Sequence, residues 1–242
     1  MITDRDAGTS IEEIAAGLYR ISTPITAIPI PGGFTFNQYL IADEKPLLFH
    51  TGPRRMFPLV RKAIDAVLPA ETLAYVSFSH YEADECGSLN EFLAMAPAAV
   101  PLCGKLAALV TIADVADRAP KPMEQDETVS VGCHKLRWRA TPHLPHAWDC
   151  GYLFEETTRT LLCGDLFTQP GAQHPALTEA DILGPSEAMR QGMEYYARSP
   201  DSRALISGLA ALKPTTLACM HGAAWRGDGA GLLAELGRRI AA

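Results

Sequence analysis

The sequence at positions 79–85 reads Ser79-His80-Tyr81-Glu82-Ala83-Asp84-Glu85, and three side chains able to bind a metal recur there at every second position. The segment follows an apolar, β-prone run at 73–78 and precedes a run at 86–93 with the spacing of an amphipathic helix. We therefore expect His80, Glu82 and Asp84 to lie on a loop between a strand and a helix, where a rigid scaffold presents them outward. The spacing indicates a metal site.

The composition is that of a globular chain, with 242 residues, 48% hydrophobic residues and a net charge of -7. We expect residues 1–242 to form a single domain with a substantial core. The negative charge argues against a nucleic-acid partner, because phosphate backbones bind basic surfaces and the sequence has no basic cluster beyond Arg238-Arg239.

The sequence predicts neither a membrane-spanning segment nor a signal peptide. The apolar runs are shorter than the roughly 18 residues that span a bilayer, and the first residues lack the basic start and apolar core of a signal peptide. We expect no membrane partner and a cytoplasmic location. The six cysteines include no C-x-x-C pair, which excludes a rubredoxin-like or thioredoxin-like centre within this sequence.

Strand-like and helix-like segments alternate along the chain. The patterns predict an early hairpin at 34–42 and 46–49, strands near 75 and 100, antiparallel strands at 128–131, 135–139, 152–154 and 160–163, and a last strand at 215–219. They predict helices at 56–67, from 89, at 105–115, 186–198 and 202–212, and from about residue 230. Strands followed by helices occur twice along the chain. This order predicts two sheets packed face to face, with helices on the outside.

Further candidate ligands stand where this pattern places strand ends. His146 lies in a proline-broken loop, Asp165 ends the run 161–165, and His221 ends the run 217–221. A single residue of this kind is usually a capped turn or an ordinary loop histidine. Four strand ends that all carry His or Asp are hard to explain by coincidence, so the set predicts a metal centre. His143 competes with His146 for its position.

The ordered series His80-x-Glu82-x-Asp84, His146, Gly164-Asp165 and His221-Gly222 resembles the metallo-β-lactamase superfamily, and within it the diiron domain of flavodiiron proteins and the oxygen-binding diiron proteins. The strand at 37–41 is similar to an early N-x-Y-L-I strand of that family, and His50-Thr51-Gly52-Pro53 stands in place of its D-T-G turn. The resemblance covers nearly the whole chain. It implies an α/β (α+β) fold, a four-layer αββα sandwich with a binuclear centre at one edge of the two sheets.

The resemblance also implies a ligand set of two overlapping groups. A first metal is held by His80, Glu82, His146 and Asp165, and a second by Asp84, Asp165 and His221, with Asp165 and a hydroxide or oxo group bridging. His146 is preferred to His143 because His146-Ala147-Trp148-Asp149 is similar to the family's H-W-P-D segment.

The metals implied by the resemblance are two iron ions. Glu82 stands where the zinc hydrolases of the superfamily carry histidine, and a hard anionic oxygen favours iron or manganese over zinc. Zinc and manganese remain the alternatives.

Two positions depart from the family pattern. Glu85 stands where the family commonly has histidine, so the second metal has either one protein ligand fewer or a carboxylate instead. His50 replaces the aspartate of the D-T-G turn, which supports the ligands through hydrogen bonds; His50 either does the same or packs.

Other residues near the motif have both a functional and a structural interpretation. Tyr195 and Tyr196 resemble a tyrosine pair near the diiron pocket, where a hydroxyl donates a hydrogen bond to the bound ligand; the alternative is a helix face packed on the core. Cys86 is interpreted as a structural thiol. His134 and His174 match nothing in the family and are expected at the surface.

The leading hypothesis is a diiron protein that binds or reduces dioxygen or nitric oxide. The sequence continues for only about 20 residues after His221, without a flavodoxin-like segment, so we expect a separate flavoprotein or rubredoxin to supply electrons. The resemblance also suggests a homodimer. The first alternative is a metal-dependent hydrolase acting on an ester, thioester or phosphoester. The second is a non-catalytic interaction domain with a degenerate site.

Overall fold

The computed structural model describes residues 1–240, and their strands form two sheets. The eight-stranded first sheet follows the chain order, with antiparallel pairs as far as β5 and parallel pairs from β5 to β8. Its strands are β1 (Ile2–Asp4), β2 (Thr9–Ala15), β3 (Leu18–Ile25), β4 (Phe34–Ile41), β5 (Leu47–Phe49), β6 (Tyr75–Ser77), β7 (Val100–Gly104) and β8 (Lys121–Met123).

The second sheet has seven strands in the spatial order β13-β15-β14-β12-β11-β10-β9. They are β9 (Thr128–Ser130), β10 (Lys135–Ala140), β11 (Gly151–Glu155), β12 (Thr160–Leu162), β13 (Leu177–Thr178), β14 (Thr216–Ala218) and β15 (Ala224–Arg226). Strands β12 and β14 are parallel neighbours. Their carboxyl ends therefore meet at one edge of the sheet.

Helices cover the outer face of each sheet. They are α1 (Phe57–Ile64), α2 (Ala83–Cys86), α3 (Leu89–Met95), α4 (Lys105–Ala107), α5 (Ala113–Val115), α6 (Leu183–Met193), α7 (Ser202–Ala211) and α8 (Gly229–Ile240), with a π-helical turn at Ala108–Ile112 between α4 and α5. None of the helices in residues 1–240 is long and apolar enough to cross a bilayer.

Three apolar clusters fill the spaces between the layers. The central cluster joins residues of both sheets, among them Tyr39 and Phe49 of the first and Trp138 and Leu153 of the second. One outer cluster lies between the first sheet and α1 and α3, and the other between the second sheet and α6, α7 and α8. The layers run helix, sheet, sheet, helix, so the predicted αββα sandwich is confirmed.

Most of the predicted elements are present, and one helix is wrong at its end. The hairpin of β4 and β5 and the antiparallel run from β9 to β12 are confirmed. The helix predicted at 186–198 ends at Met193, because Glu194 takes the left-handed conformation with φ 49° and stops it. Tyr195 and Tyr196 therefore lie in a loop and not on a helix face.

The packing of Trp138 yields a test of the interface between the sheets. The Trp138 ring is buried against Gly104 of β7 and Gly151 of β11, and a Cβ atom at position 151 would overlap the ring. We expect Gly151→Ala to lower the free energy of unfolding by about 1–3 kcal/mol through overpacking. Urea denaturation measures the effect.

Gly192 in α6 provides the matched control, because a Cβ atom there meets nothing within 4 Å. Gly192→Ala is expected to leave stability unchanged or to raise it by up to about 1 kcal/mol, since alanine favours helix. Equal stability of Gly151→Ala and the wild type would contradict this account of the core.

Candidate metal centre

Four predicted ligands converge from three separate chain segments. His80 and Glu82 follow β6, His146 lies in the loop after β10, and Asp165 follows β12. The Nε2 atom of His80 lies 2.9 Å from Oε2 of Glu82 and 3.0 Å from Nε2 of His146, and His146 Nε2 lies 3.4 Å from Oδ2 of Asp165. One donor atom from each of the four lies within 4.8 Å of the others.

The remaining two predicted ligands lie on the other side of Asp165. The Nε2 atom of His221, which follows β14, is 3.3 Å from Oδ1 of Asp165 and 3.5 Å from Oδ2 of Asp84. Asp165 thus presents Oδ2 to the first group and Oδ1 to the second. Phe34 stacks on the His221 ring at a centroid distance of 4.1 Å and holds its orientation.

The imidazole rings are oriented by partners on their far nitrogens. His146 Nδ1 donates to the carbonyl oxygen of Tyr195 at 3.1 Å, and His221 Nδ1 donates to that of Thr35 at 2.7 Å. A carbonyl accepts only, so the Nδ1 atoms carry protons, and in its neutral form each ring turns an Nε2 lone pair inward. Metal-binding histidines are commonly held in this way.

The convergence of lone pairs is the observation that fits a metal. Two imidazole Nε2 atoms 3.0 Å apart, both against one carboxylate, repel each other unless a proton or a cation lies between them. Oδ1 of Asp165 is buried and has no hydrogen-bond partner among the described residues. A cation in each group would satisfy these atoms.

The electrostatics of the carboxylates are consistent with this arrangement. Hydrogen bonds from His146 and His80 lower the pKa of Glu82 to about 2. Burial alone would raise the pKa of Asp165, but the nearby His221 and His80 imidazoles hold it well below its usual range. Both carboxylates are therefore ionised at neutral pH, and positive charge is required beside them as protons or as metal ions.

Comparison with known proteins places the chain in a family. The sequence model described as "ODP family beta lactamase" matches residues 34–222, which is more than half of the chain. The chain belongs to the ODP family of beta lactamases.

Three relatives illustrate what this ODP-family protein is similar to. An anaerobic nitric oxide reductase flavorubredoxin of Pectobacterium carotovorum is 25% identical over 83% of this chain and 41% of its own length. The Flv1 flavodiiron core of Synechocystis sp. PCC6803 has a TM-score of 0.80 at 20% identity, covering 96% of this chain and 60% of that one. The rubredoxin oxygen:oxidoreductase of Desulfovibrio gigas has a TM-score of 0.77 at 20% identity, covering 95% and 62%.

The solved structures bear on the fold, and the curated relatives bear on how much of a longer protein the chain matches. The two structures show the fold of the ODP-family protein, which is the fold of flavodiiron cores. The chain spans less than half the length of the curated relatives that it matches.

The tyrosine pair of the ODP-family protein borders the first group of ligands. The Tyr195 hydroxyl lies 3.4 Å from the carbonyl oxygen of Asp165, and its own carbonyl holds His146. Tyr196 packs edge-on against Tyr195 at 4.9 Å, and Arg190 lies over its ring. Tyr195 is therefore the member of the pair that contacts the site residues, and Tyr196 lies behind it.

His134, His143 and His174 lie outside the groups in which the candidate metal donors converge. His143 is exposed and lies outside the group that contains His146. The surface position expected for His134 is wrong: the side chain is buried, with Nδ1 3.1 Å from the buried Glu155 carboxylate. His174 is half-buried, with Nε2 against the carbonyl oxygen of Pro170. Cys86 is buried and donates to the carbonyl oxygen of Glu82, an arrangement that favours the structural interpretation.

His50 reaches the site through a residue that the sequence did not single out. Its Nε2 atom lies 3.0 Å from the hydroxyl of Ser79, which lies 2.9 Å from Nδ1 of His80. The parallel pairing of β5 and β6 places His50 and His80 at the same sheet edge. The position of Ser79 directly before His80 was the only signal for its role.

The loop that carries His221 is held by side chains of the first sheet. Asn37 donates to the carbonyl oxygens of Cys219 and Gly222 at 2.9 and 2.8 Å, and the Tyr39 hydroxyl donates to that of Cys219 at 2.6 Å. Buried Arg20 of β3 donates to Gly222 as well. The N-x-Y pattern pointed to Asn37 and Tyr39, whereas Arg20 gave no sequence signal.

The burial of His50 predicts a pH dependence of stability. Burial lowers the pKa of His50 from 6.5 to about 3. Between these values the unfolded chain binds a proton that the folded chain does not, so stability is lost as pH falls from 6.5, by up to about 1.4 kcal/mol per pH unit. His50→Asn, which suits the left-handed backbone at φ 64°, removes this contribution.

Urea unfolding of the metal-free protein at several pH values measures the effect. We expect the gap in unfolding free energy between wild type and His50→Asn to shrink as pH falls below 6.5. His143→Asn is the control, because His143 has the same φ of 64° but is exposed. A gap that stays constant from pH 7 to pH 4.5 would refute the prediction.

Proposed function

We propose that this protein holds two iron ions and binds or reduces dioxygen or nitric oxide. The observation that carries the proposal is the Glu82 carboxylate, which lies 2.9 Å from the Nε2 atom of His80 and 3.2 Å from that of His146. A hard anionic oxygen between two imidazoles is a donor set suited to non-heme iron. Manganese and zinc are the competing metals.

The proposed ligand assignment follows from the two groups that Asp165 separates. His80, Glu82, His146 and Asp165 would hold the first ion, and Asp84, Asp165 and His221 the second. Bound iron would supply electron transfer and open coordination positions for a diatomic gas. The protein residues orient the ligands through Ser79, Thr35 and the Tyr195 carbonyl, and bury all of them except Glu82, His146 and Asp84 deeply.

Access to the centre is proposed to be by way of Glu82. Its side chain is 52% exposed, whereas that of His80 is 1% exposed, and a cavity of about 530 Å³ borders it. We propose that the gas enters here and that the Tyr195 hydroxyl, 3.4 Å from the Asp165 carbonyl, turns to donate a hydrogen bond to it. Tyr196 supports the Tyr195 ring from behind.

The electrons for a reduction are proposed to come from a separate flavoprotein or rubredoxin. The names of the relatives, a flavorubredoxin and a rubredoxin oxygen:oxidoreductase, support this class of donor. A single domain over residues 1–242, a homodimer and a cytoplasmic location complete the proposal.

The experiment that tests the proposal is metal analysis combined with gas binding. Protein reconstituted anaerobically with ferrous iron is expected to hold two ions per chain, and its absorption spectrum is expected to change when dioxygen or nitric oxide is added. Protein that retains only zinc, shows no spectral change and hydrolyses an ester or thioester would overturn the proposal in favour of a hydrolase.

Two histidine variants distinguish loss of the metal site from loss of the fold. We expect His146→Asn to reduce iron content to one ion per chain or fewer and to abolish the spectral change, because the first group loses one of its two imidazoles. His174→Asn is the control, since His174 lies outside both groups. Iron content is measured by elemental analysis; equal content in both variants would contradict the ligand assignment.

A further inference from the structure

Glu85 is a buried carboxylate without a partner. Its exposed fraction is 0%, and neither carboxylate oxygen has a hydrogen-bond partner within residues 1–240. An ionised carboxylate buried in this way costs several kcal/mol unless it is paired or coordinates a metal. The side chain therefore requires an explanation.

Two other buried glutamates show how the same fold satisfies a carboxylate. Glu155, also 0% exposed, accepts hydrogen bonds from the backbone of Thr157 and Thr158 at 2.8 and 2.6 Å. Glu187 pairs with both ends of the Arg190 guanidinium at 2.9 and 2.8 Å. Glu85 has neither kind of partner in the described residues.

The surroundings of Glu85 are acidic instead of basic. One carboxylate oxygen each of Glu82, Asp84 and Glu85 lie within 4.8 Å of one another. Burial raises the pKa of Glu85 well above its usual range, and the nearby Asp165 and Asp84 carboxylates raise it further. Carboxylates are gathered this closely where a cation, or a proton, is shared between them.

The backbone at Glu85 holds the side chain in this place. The amide of Thr51, in the turn after β5, donates to the carbonyl oxygen of Glu85 at 2.7 Å, and Ser88 donates to the Thr51 hydroxyl at 3.0 Å. The first turn of α2 is thus fixed to the first sheet. These contacts hold the backbone of Glu85 at the position from which its carboxylate is buried.

We propose that Glu85 is a ligand of the second metal, which is then held by Asp84, Glu85, Asp165 and His221. The inference rests on the proposed function, because it assumes a metal in each group. It makes the two positions chemically unequal: the first has two imidazoles and two carboxylates, and the second has one imidazole and three carboxylates.

The charge of the centre follows from this assignment. Glu82, Asp84, Glu85 and Asp165 supply four negative charges, which equal the charge of two divalent cations. The oxygen-rich second position favours manganese or iron over zinc. The alternative is a protonated Glu85 that shares its proton with Asp84 and does not contact the metal.

Manganese binding to the metal-free chain of residues 1–242 distinguishes these alternatives. Wild type is expected to bind two Mn²⁺ ions by calorimetry and to give the electron paramagnetic resonance signal of a coupled pair. Glu85→Gln keeps the shape but removes the charge, and we expect the second ion to bind at least ten-fold more weakly and the coupled signal to be replaced by that of isolated Mn²⁺. Two ions bound to Glu85→Gln with wild-type affinity would overturn the inference.

Glu85→His provides the second variant. It places the residue type common in the family at this position, and we expect it to bind two ions with a preference shifted from manganese towards zinc; an unchanged preference counts against Glu85 as a ligand. Glu155→Gln is the control, a buried glutamate with backbone partners, and is expected to bind two Mn²⁺ ions as the wild type does.

The outcomes separate this inference from the function on which it rests. If wild type binds two ions and Glu85→Gln does so equally well, only the role of Glu85 is wrong. If wild type binds fewer than two ions with every metal tested, the proposal of a binuclear centre is wrong, and the inference about Glu85 fails with it.

Discussion

The Asp165 carboxylate is the contact on which the arrangement of the site depends. Its two oxygens face different imidazole groups, so its position sets the spacing of both. The parallel pairing of β12 and β14 brings Asp165 and His221 to one edge, and the Met220 amide donates to the Gly164 carbonyl at 2.8 Å. Gly164 has φ 48°, which favours glycine, and a Cβ atom there would lie 3.0 Å from Ser79 Oγ, so a larger residue would strain the backbone and push Ser79 aside.

The sequence was sufficient for those features that are local. The convergence of the candidate ligands could be predicted because each lies in a segment that follows a strand, and strand ends of a sandwich meet at a common edge. The strands β1, β2 and β3 were not predicted, although Arg20 of β3 supports the loop of His221. The burial of His134 depends on Glu155, 21 positions away, and the end of α6 depends on the left-handed backbone of Glu194; neither leaves a local pattern.

Backbone groups account for much of what sequence could not show about the site. The partners of His146 and His221 are the carbonyl oxygens of Tyr195 and Thr35, which any residue type would supply. Side-chain identity therefore points to the candidate ligands but not to the groups that orient them. Because these contacts come from both sheets and the loop after α6, the site is formed by tertiary structure and not by the 79–85 segment alone.

The uneven exposure of the donors also determines which of them is able to move. His80, Asp165 and His221 are enclosed by packing, whereas half of the Glu82 side chain faces solvent. A carboxylate on a solvent-facing side can detach and return without disturbing the core, and an enclosed imidazole cannot. Glu82, the most exposed of the six candidate donors, is thus the side chain that can turn toward solvent at the least cost in packing.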